Sequence, residues 1–222
     1  MIQQWRQDFQ SPEAYFGFIQ LSTWCPAPPR SNIGVPELRE AQMAALKLPG
    51  KIGYATNADH GEGCNIHPRD KKPCGKRLGD SALALQYGKQ IHWRSPTYVK
   101  ANTLLETPTA NDAEQSPSIV IEFGHVSDKG LYFMEKPFND INGLDCSKQL
   151  PDTCAWPQVL LNGKGWVNAT LSLQGRNQVV MTAADGMTGQ IVATSYAWGA
   201  IPMMTIYDAG TNLPVLQWRE KI

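Results

Sequence analysis

The sequence has no net charge, no long apolar run and no leader-like start. Its 20 Lys and Arg balance 20 Asp and Glu over 222 residues, so neither sign is in excess to hold a nucleic acid or an anionic membrane surface. Nowhere does an apolar stretch approach the roughly 20 residues that span a bilayer. The opening decapeptide MIQQWRQDFQ lacks the apolar centre of a secretory leader. With 19 Gly and 16 Pro, the chain is loop-rich but well short of low complexity, and it shows no internal repeat. Nucleic acid and a membrane span are therefore not expected. The length suits one large domain or two small ones with a real core.

Five cysteines are present. Two close pairs, Cys64/Cys74 and Cys146/Cys154, lie in turn-like surroundings, and Cys25 stands alone. Local bridges are expected within both pairs, with two unpaired thiols as the alternative for Cys64 and Cys74. The triplet Asn168-Ala169-Thr170 is an N-glycosylation acceptor. Together these features point to an oxidising compartment.

Residues 1–93 alternate between strand and helix. Tyr15 to Leu21 (YFGFIQL) is a short apolar run of the kind buried on both faces of a parallel sheet. Val35 to Leu48 carries apolar residues near helical spacing and stops at Pro49-Gly50. Lys51 to Asn57 returns as a strand. A second helix is expected to open at His67-Pro68-Arg69-Asp70 and to run to about Tyr87-Gly88. Two parallel strands cannot make a stable open sheet. The sheet is thus expected to continue on the N-terminal side, where MIQQWRQDF reads as the tail of an amphipathic helix and Met1 as an internal or alternative start. From about residue 91 the pattern changes to short alternating runs, at 118–123, 158–161, 170–173, 178–183, 191–198 and 203–208, punctuated by Gly, Asn, Asp and Pro. This predicts an antiparallel β-sandwich or jelly-roll-like module over 94–222.

The densest polar cluster, Asn57 to Pro68, leaves a strand end and enters a helix start. Open α/β sheets build their sites at that edge. Asp59 precedes His67 by eight residues, and an acid on the strand end can orient an imidazole across the loop, as in a nucleophile-His-acid triad.

This block resembles a known family. Asp59-x-Gly61, Asn65-Ile66-His67-Pro68-Arg69-Asp70-Lys71, Gly75-Lys76-Arg77-Leu78 and Ala82-Leu83-Ala84 are similar to the Ile-His-Pro block and Arg-Leu helix of sialate O-acetylesterases. Trp5-Arg6 and Phe18-Ile19-Gln20-Leu21 resemble that family upstream. Gly130-Leu131, Cys146 to Pro157, Tyr196-Ala197-Trp198, Pro202 and Leu213-Pro214 resemble its β module. The resemblance implies a partial SGNH-type, flavodoxin-like parallel sheet (1–93) followed by the β module. It implies hydrolysis of O-acetyl esters of sialic acids by a serine acyl-enzyme route, without metal or organic cofactor. The family is secreted or lysosomal; a true start at Met1 without a leader would imply the cytosol.

In that reading His67 is the general base and Asp59 fixes its tautomer, with Glu62 and Asp70 as fallback carboxylates. Asn65 stands where many relatives carry Asp. Asp70 also suits a helix N-terminus. The family's Gly-Gln-Ser nucleophile block is missing, so the serine is expected from a preceding part of the esterase, which becomes a partner alongside O-acetylated sialic acid glycans. The alternative is a non-catalytic remnant or carbohydrate-binding module.

Gly79-Asp80-Ser81 spells a nucleophile triplet, but Leu78, Ala82, Leu83 and Leu85 place Ser81 inside a helix. His60, Cys64, His67 and Cys74 match no common zinc spacing. Trp156, Trp166, Trp198 and Trp218 could suggest a sugar-stacking platform, but Trp198 continues a β-type run and Trp166 lies among alternating residues, so core packing is expected. Lys71, Lys72, Lys76 and Arg77 are expected on a solvated helix face, with attraction of a sugar carboxylate as the alternative.

Overall fold

The structure, a computed structural model, describes residues 1–25, 34–103, 116–141, 146–148 and 153–222. Helix α1 (Ile2–Asp8) leads into β1 (Phe16–Gln20), α2 (Val35–Met43) with a 3-10 turn (Ala44–Lys47), β2 (Ile52–Thr56) and α3 (Lys72–Leu85). Strands β1 and β2 pair in parallel, Phe16 against Ile52 through Gln20 against Thr56. Gly17 and Gly53 sit side by side in that register. A Cβ at Gly17 would lie 2.8 Å from Leu78 Cδ1, and one at Gly53 would lie 2.7 Å from Ser81 Oγ. The glycine pair is thus what lets α3 lie close against the strands.

Ser81 is part of that contact. Its hydroxyl lies 2.6 Å from Tyr15 Oη and donates to Leu78 O, with the residue fully buried in the helix. Among the described residues β1 pairs with β2 alone, and Ile19 is 42% exposed on it.

Helix α3 begins at Lys72 rather than at His67. The stretch before it is held as a loop by side chains: Asn65 Oδ1 accepts from His67 N, and Glu62 Oε2 accepts from Arg69 N. Asp70 Oδ1 accepts from Lys72 N at 3.0 Å, and it is Pro73, not Pro68, that occupies the first turn.

The rest of the chain is β3 (Thr97–Thr103), β4 (Ser118–Gly124), β5 (Leu131–Phe133), a short α4 (Phe138–Ile141), β6 (Cys154–Ala155), β7 (Gln158–Leu161), β8 (Gly165–Gln174), β9 (Gln178–Ala183), β10 (Ile191–Tyr196), β11 (Ile201–Pro202), β12 (Ile206–Asp208) and β13 (Trp218–Lys221). Seven of these form one antiparallel sheet in the order β13-β10-β7-β8-β9-β4-β3. Its two ends approach each other: the rings of Tyr98 on β3 and Trp218 on β13 stack at 5.9 Å. The antiparallel module is therefore a single curled sheet, close to a barrel, around Ile119, Ile121, Val159, Leu161, Val179 and Met181. Alternation of buried and half-buried residues along β7 and β9 follows from the two-residue period of a strand.

Arg39 joins the two halves. Fully buried on α2, it donates to the carbonyls of Leu21, Ser22, Gly199 and Ala200 and to Gln217 Oε1. Burial pushes its pKa down to about 9, which still leaves it a cation at pH 7. Trp93 packs edge-on against Tyr54 and shares a core cluster with Leu216.

The cysteine pairing differs from expectation. Cys25 bonds to Cys64, across 39 positions, while Cys74 is a buried free thiol whose Sγ donates to Lys71 O. Cys74 faces inward from the first turn of α3, whereas Cys25 and Cys64 follow β1 and β2 and their backbones already meet, Cys25 N to Cys64 O. The Cys146–Cys154 bridge is formed. Two disulfides point to an oxidising compartment, and no helix of the described residues is long and apolar enough to cross a membrane.

Candidate functional site

The loop after β2 carries Asp59 and His60 to the junction of the two halves. Asp59 is 1% exposed, and Arg77 from α3 grips its carboxylate with two bonds of 2.7 Å while also donating to Thr56 O. From β12, Tyr207 Oη donates to Asp59 Oδ2 at 3.1 Å. The adjacent His60 places Nε2 3.5 Å from the same oxygen and stacks on Phe138 at 4.3 Å. Asn139, fully buried, fastens the loop from the other side: it accepts from Gly61 N and donates to Ala58 O and Pro202 O.

The charges follow from this packing. Burial raises the Asp59 pKa, but the Arg77 charge and its hydrogen bonds outweigh burial and hold the carboxyl below its usual range. Burial likewise works against the Arg77 cation, and Asp59 more than restores it. Burial lowers His60, and the opposing Asp59 charge only partly offsets that. Tyr207 is raised, first by burial and then by the Asp59 charge.

Gly61 has a steric reason. A Cβ there would stand 2.0 Å from Thr23 Oγ1, so the loop can cross the end of β1 only with glycine. Four side-chain oxygens around these strand ends, on Gln20, Ser22, Thr23 and Asn57, are buried without a hydrogen-bond partner.

His67 sits seven residues beyond His60 on the exposed part of the loop, its backbone N bonded to Asn65 Oδ1. The structure brings Asp59 together with Arg77, Tyr207 and His60; no hydrogen bond joins it to His67. Glu62 is paired with Arg69 at 3.0 Å, and Asp70 starts α3. His60, Gly61, Glu62, Pro68, Arg69 and Phe138 line a small cleft of about 280 Å³ beside this loop.

Three participants were not foreseen as site residues. Arg77 is buried, not solvated, although Lys71, Lys72 and Lys76 are exposed as expected. Its position was legible: Cys74, Arg77 and Ser81 repeat at helical spacing on the buried face of α3. Tyr207 and Asn139 come from far along the chain and carried no local signal. Trp166 is 36% exposed and, like Trp198, lies near the Arg219 guanidinium, so it is not a core residue; Trp218 is. Among the described residues no group of His, Cys, Asp and Glu could hold a metal ion.

No family model matches the sequence, and no curated protein matches it. Among solved structures the chain is similar to a carbohydrate acetylesterase from Xanthomonas citri, with a TM-score of 0.72 at 22% identity; the similarity covers 99% of this chain and 44% of the other. The chain spans less than half the length of that protein. At this identity the likeness is one of fold.

Proposed function

We propose that the chain is the histidine-bearing part of an esterase that removes O-acetyl groups from carbohydrates, sialic acids in the finer reading. The observation that carries it is the polar loop 57–70 after a parallel strand, held in place by both halves of a fold shared with a carbohydrate acetylesterase. The proposal includes an SGNH-type α/β segment (1–93), a β module (94–222) and a secreted or lysosomal setting for the full-length protein. The nucleophilic serine comes from outside these 222 residues. Ser81, buried against Tyr15, does not serve.

In this reading His67 takes the serine proton during attack on the acetyl carbonyl and returns it to the departing sugar hydroxyl. Asp59 shapes the loop that carries it, through Arg77, Tyr207 and His60. A second reading has a specific observation behind it: His60 is the histidine that a buried carboxylate contacts, at 3.5 Å, which is the acid-histidine relation of a triad.

The test is acetate release from an O-acetylated sialoside and fluorophosphonate labelling, with the chain alone and with a nucleophile-bearing segment of an acetylesterase added. The chain alone is expected to be inactive and unlabelled, and the mixture active. Turnover by the chain alone that Ser81→Ala abolishes would overturn the proposal.

A further inference from the structure

His60 and Phe138 line two clefts, not one. Beyond the small cleft at Glu62 and Arg69 lies a larger one of about 580 Å³ between α3 and the segment 207–213. Its volume falls in the range of small-molecule sites, which join apolar walls to a few placed polar groups. The walls are aromatic: Tyr132 is tilted against Tyr207 at 6.0 Å, and Phe138 meets Tyr207 edge-on at 6.0 Å. Tyr132 and Phe138 are only half-buried, so ring surface remains on offer.

The rim is polar but electrically closed. Lys76 is paired with Asp80 at 2.6 Å, and Arg77 with Asp59 at 2.7 Å. A phosphate or carboxylate entering the cleft would find both of these cations already neutralised, and a cation would find both acids taken. Hydroxyl groups would find the side chain of Asn212, whose Oδ1 accepts from Tyr132 Oη at 3.2 Å; His92 also lines the cleft, with its Nε2 2.8 Å from His125 O.

The rim is also built in advance. Asp208 Oδ1 accepts from Gly210 N, Thr211 N and Thr211 Oγ1, and its Oδ2 accepts from Ser127 N. A loop tied down in this way loses little freedom when a ligand arrives.

We propose that the cleft between α3 and residues 207–213 binds a neutral pyranose unit of a glycan. The ring's C–H face lies on Tyr132 and Phe138, and its hydroxyls reach Asn212 and the Lys76–Asp80 pair. This site lies apart from His67 and binds sugar whether or not the loop performs chemistry.

The experiment titrates the 222-residue chain with methyl β-glycosides of glucose, galactose and N-acetylglucosamine, read by saturation-transfer and protein-observed NMR. N-acetylneuraminic acid and inorganic phosphate are run as anionic competitors. At least one neutral glycoside is expected to bind with a Kd on the order of 1 mM. Tyr132→Ala and Asn212→Gly should each weaken it about fivefold or more. Glycine accepts the left-handed backbone at Asn212 (φ 57°), so that variant keeps the loop's shape, and a thermal melt confirms folding. His67→Ala should leave binding intact. No binding of any neutral glycoside up to about 50 mM, binding indifferent to both variants, or displacement by phosphate would overturn the proposal.

Discussion

Replacing Asp59 by Ala tests the junction most severely. The carboxylate is fully buried and carries four relations at once: two bonds of 2.7 Å from Arg77, one of 3.1 Å from Tyr207 Oη and the 3.5 Å contact with His60. Its removal leaves the Arg77 guanidinium buried with Thr56 O as its remaining acceptor. Deleting one partner of a buried pair costs about 3–5 kcal/mol, because the other charge stays uncompensated. For a chain of this length that corresponds to a melting temperature lower by roughly 6–20 °C. The assay is urea unfolding of wild type, Asp59→Ala, Arg77→Met and the double variant. The double variant is expected to lose markedly less than the sum of the singles, since the two share one interaction. Tyr207→Phe should cost only about 1 kcal/mol, the worth of one hydrogen bond. An Asp59→Ala protein within about 1 kcal/mol of wild type would refute the argument that this buried pair, with Tyr207 donating to it from the other half, stabilises the junction.

Non-reducing peptide mapping should recover Cys25 joined to Cys64 and an alkylatable Cys74 only after unfolding; Cys25→Ser should cost about 4 kcal/mol from the loop of 39 positions. Gly61→Ala should cost more than Gly75→Ala, whose added Cβ meets nothing within 4 Å, as read by denaturation midpoints. Stability should also fall on acidification. His60 has a lowered folded pKa, so the unfolded chain takes up its proton first and stability drops below about pH 6.5. The depressed Asp59 adds stability that is present above about pH 4 and lost as pH falls through its folded pKa. His60→Gln should flatten the first of these two losses in a pH series of unfolding curves.

The strand at 158–161 and the one at 178–183 have the boundaries that alternation alone predicts, since a half-buried strand writes its period into the residues. Strand β8 starts five residues earlier than TLSL suggests, because Trp166 and Asn168 lie on its exposed face and disguise it. Strands β3 and β13 escaped notice: TYVKANT and WREK are too polar to read as buried. The start of α3 was misplaced because Pro68 and Asp70 imitate a helix entry that Pro73 and Asp70 provide. Within the site, Asp59 and the importance of its loop were legible from composition after a strand. Tyr207, which donates to the carboxylate, and Asn139, which fastens the loop backbone, were not, because both are brought there only by the packing of one half on the other.

The most direct test of the functional account compares two histidines. Acetate release from an O-acetylated sialoside is measured for the chain completed by a nucleophile-bearing segment, in wild type, His67→Ala and His60→Ala. The account predicts that His67→Ala lowers turnover by a factor on the order of 10³, while His60→Ala leaves most of it. Unchanged turnover in His67→Ala would contradict it, and a collapse confined to His60→Ala would move the base to the histidine that Asp59 touches.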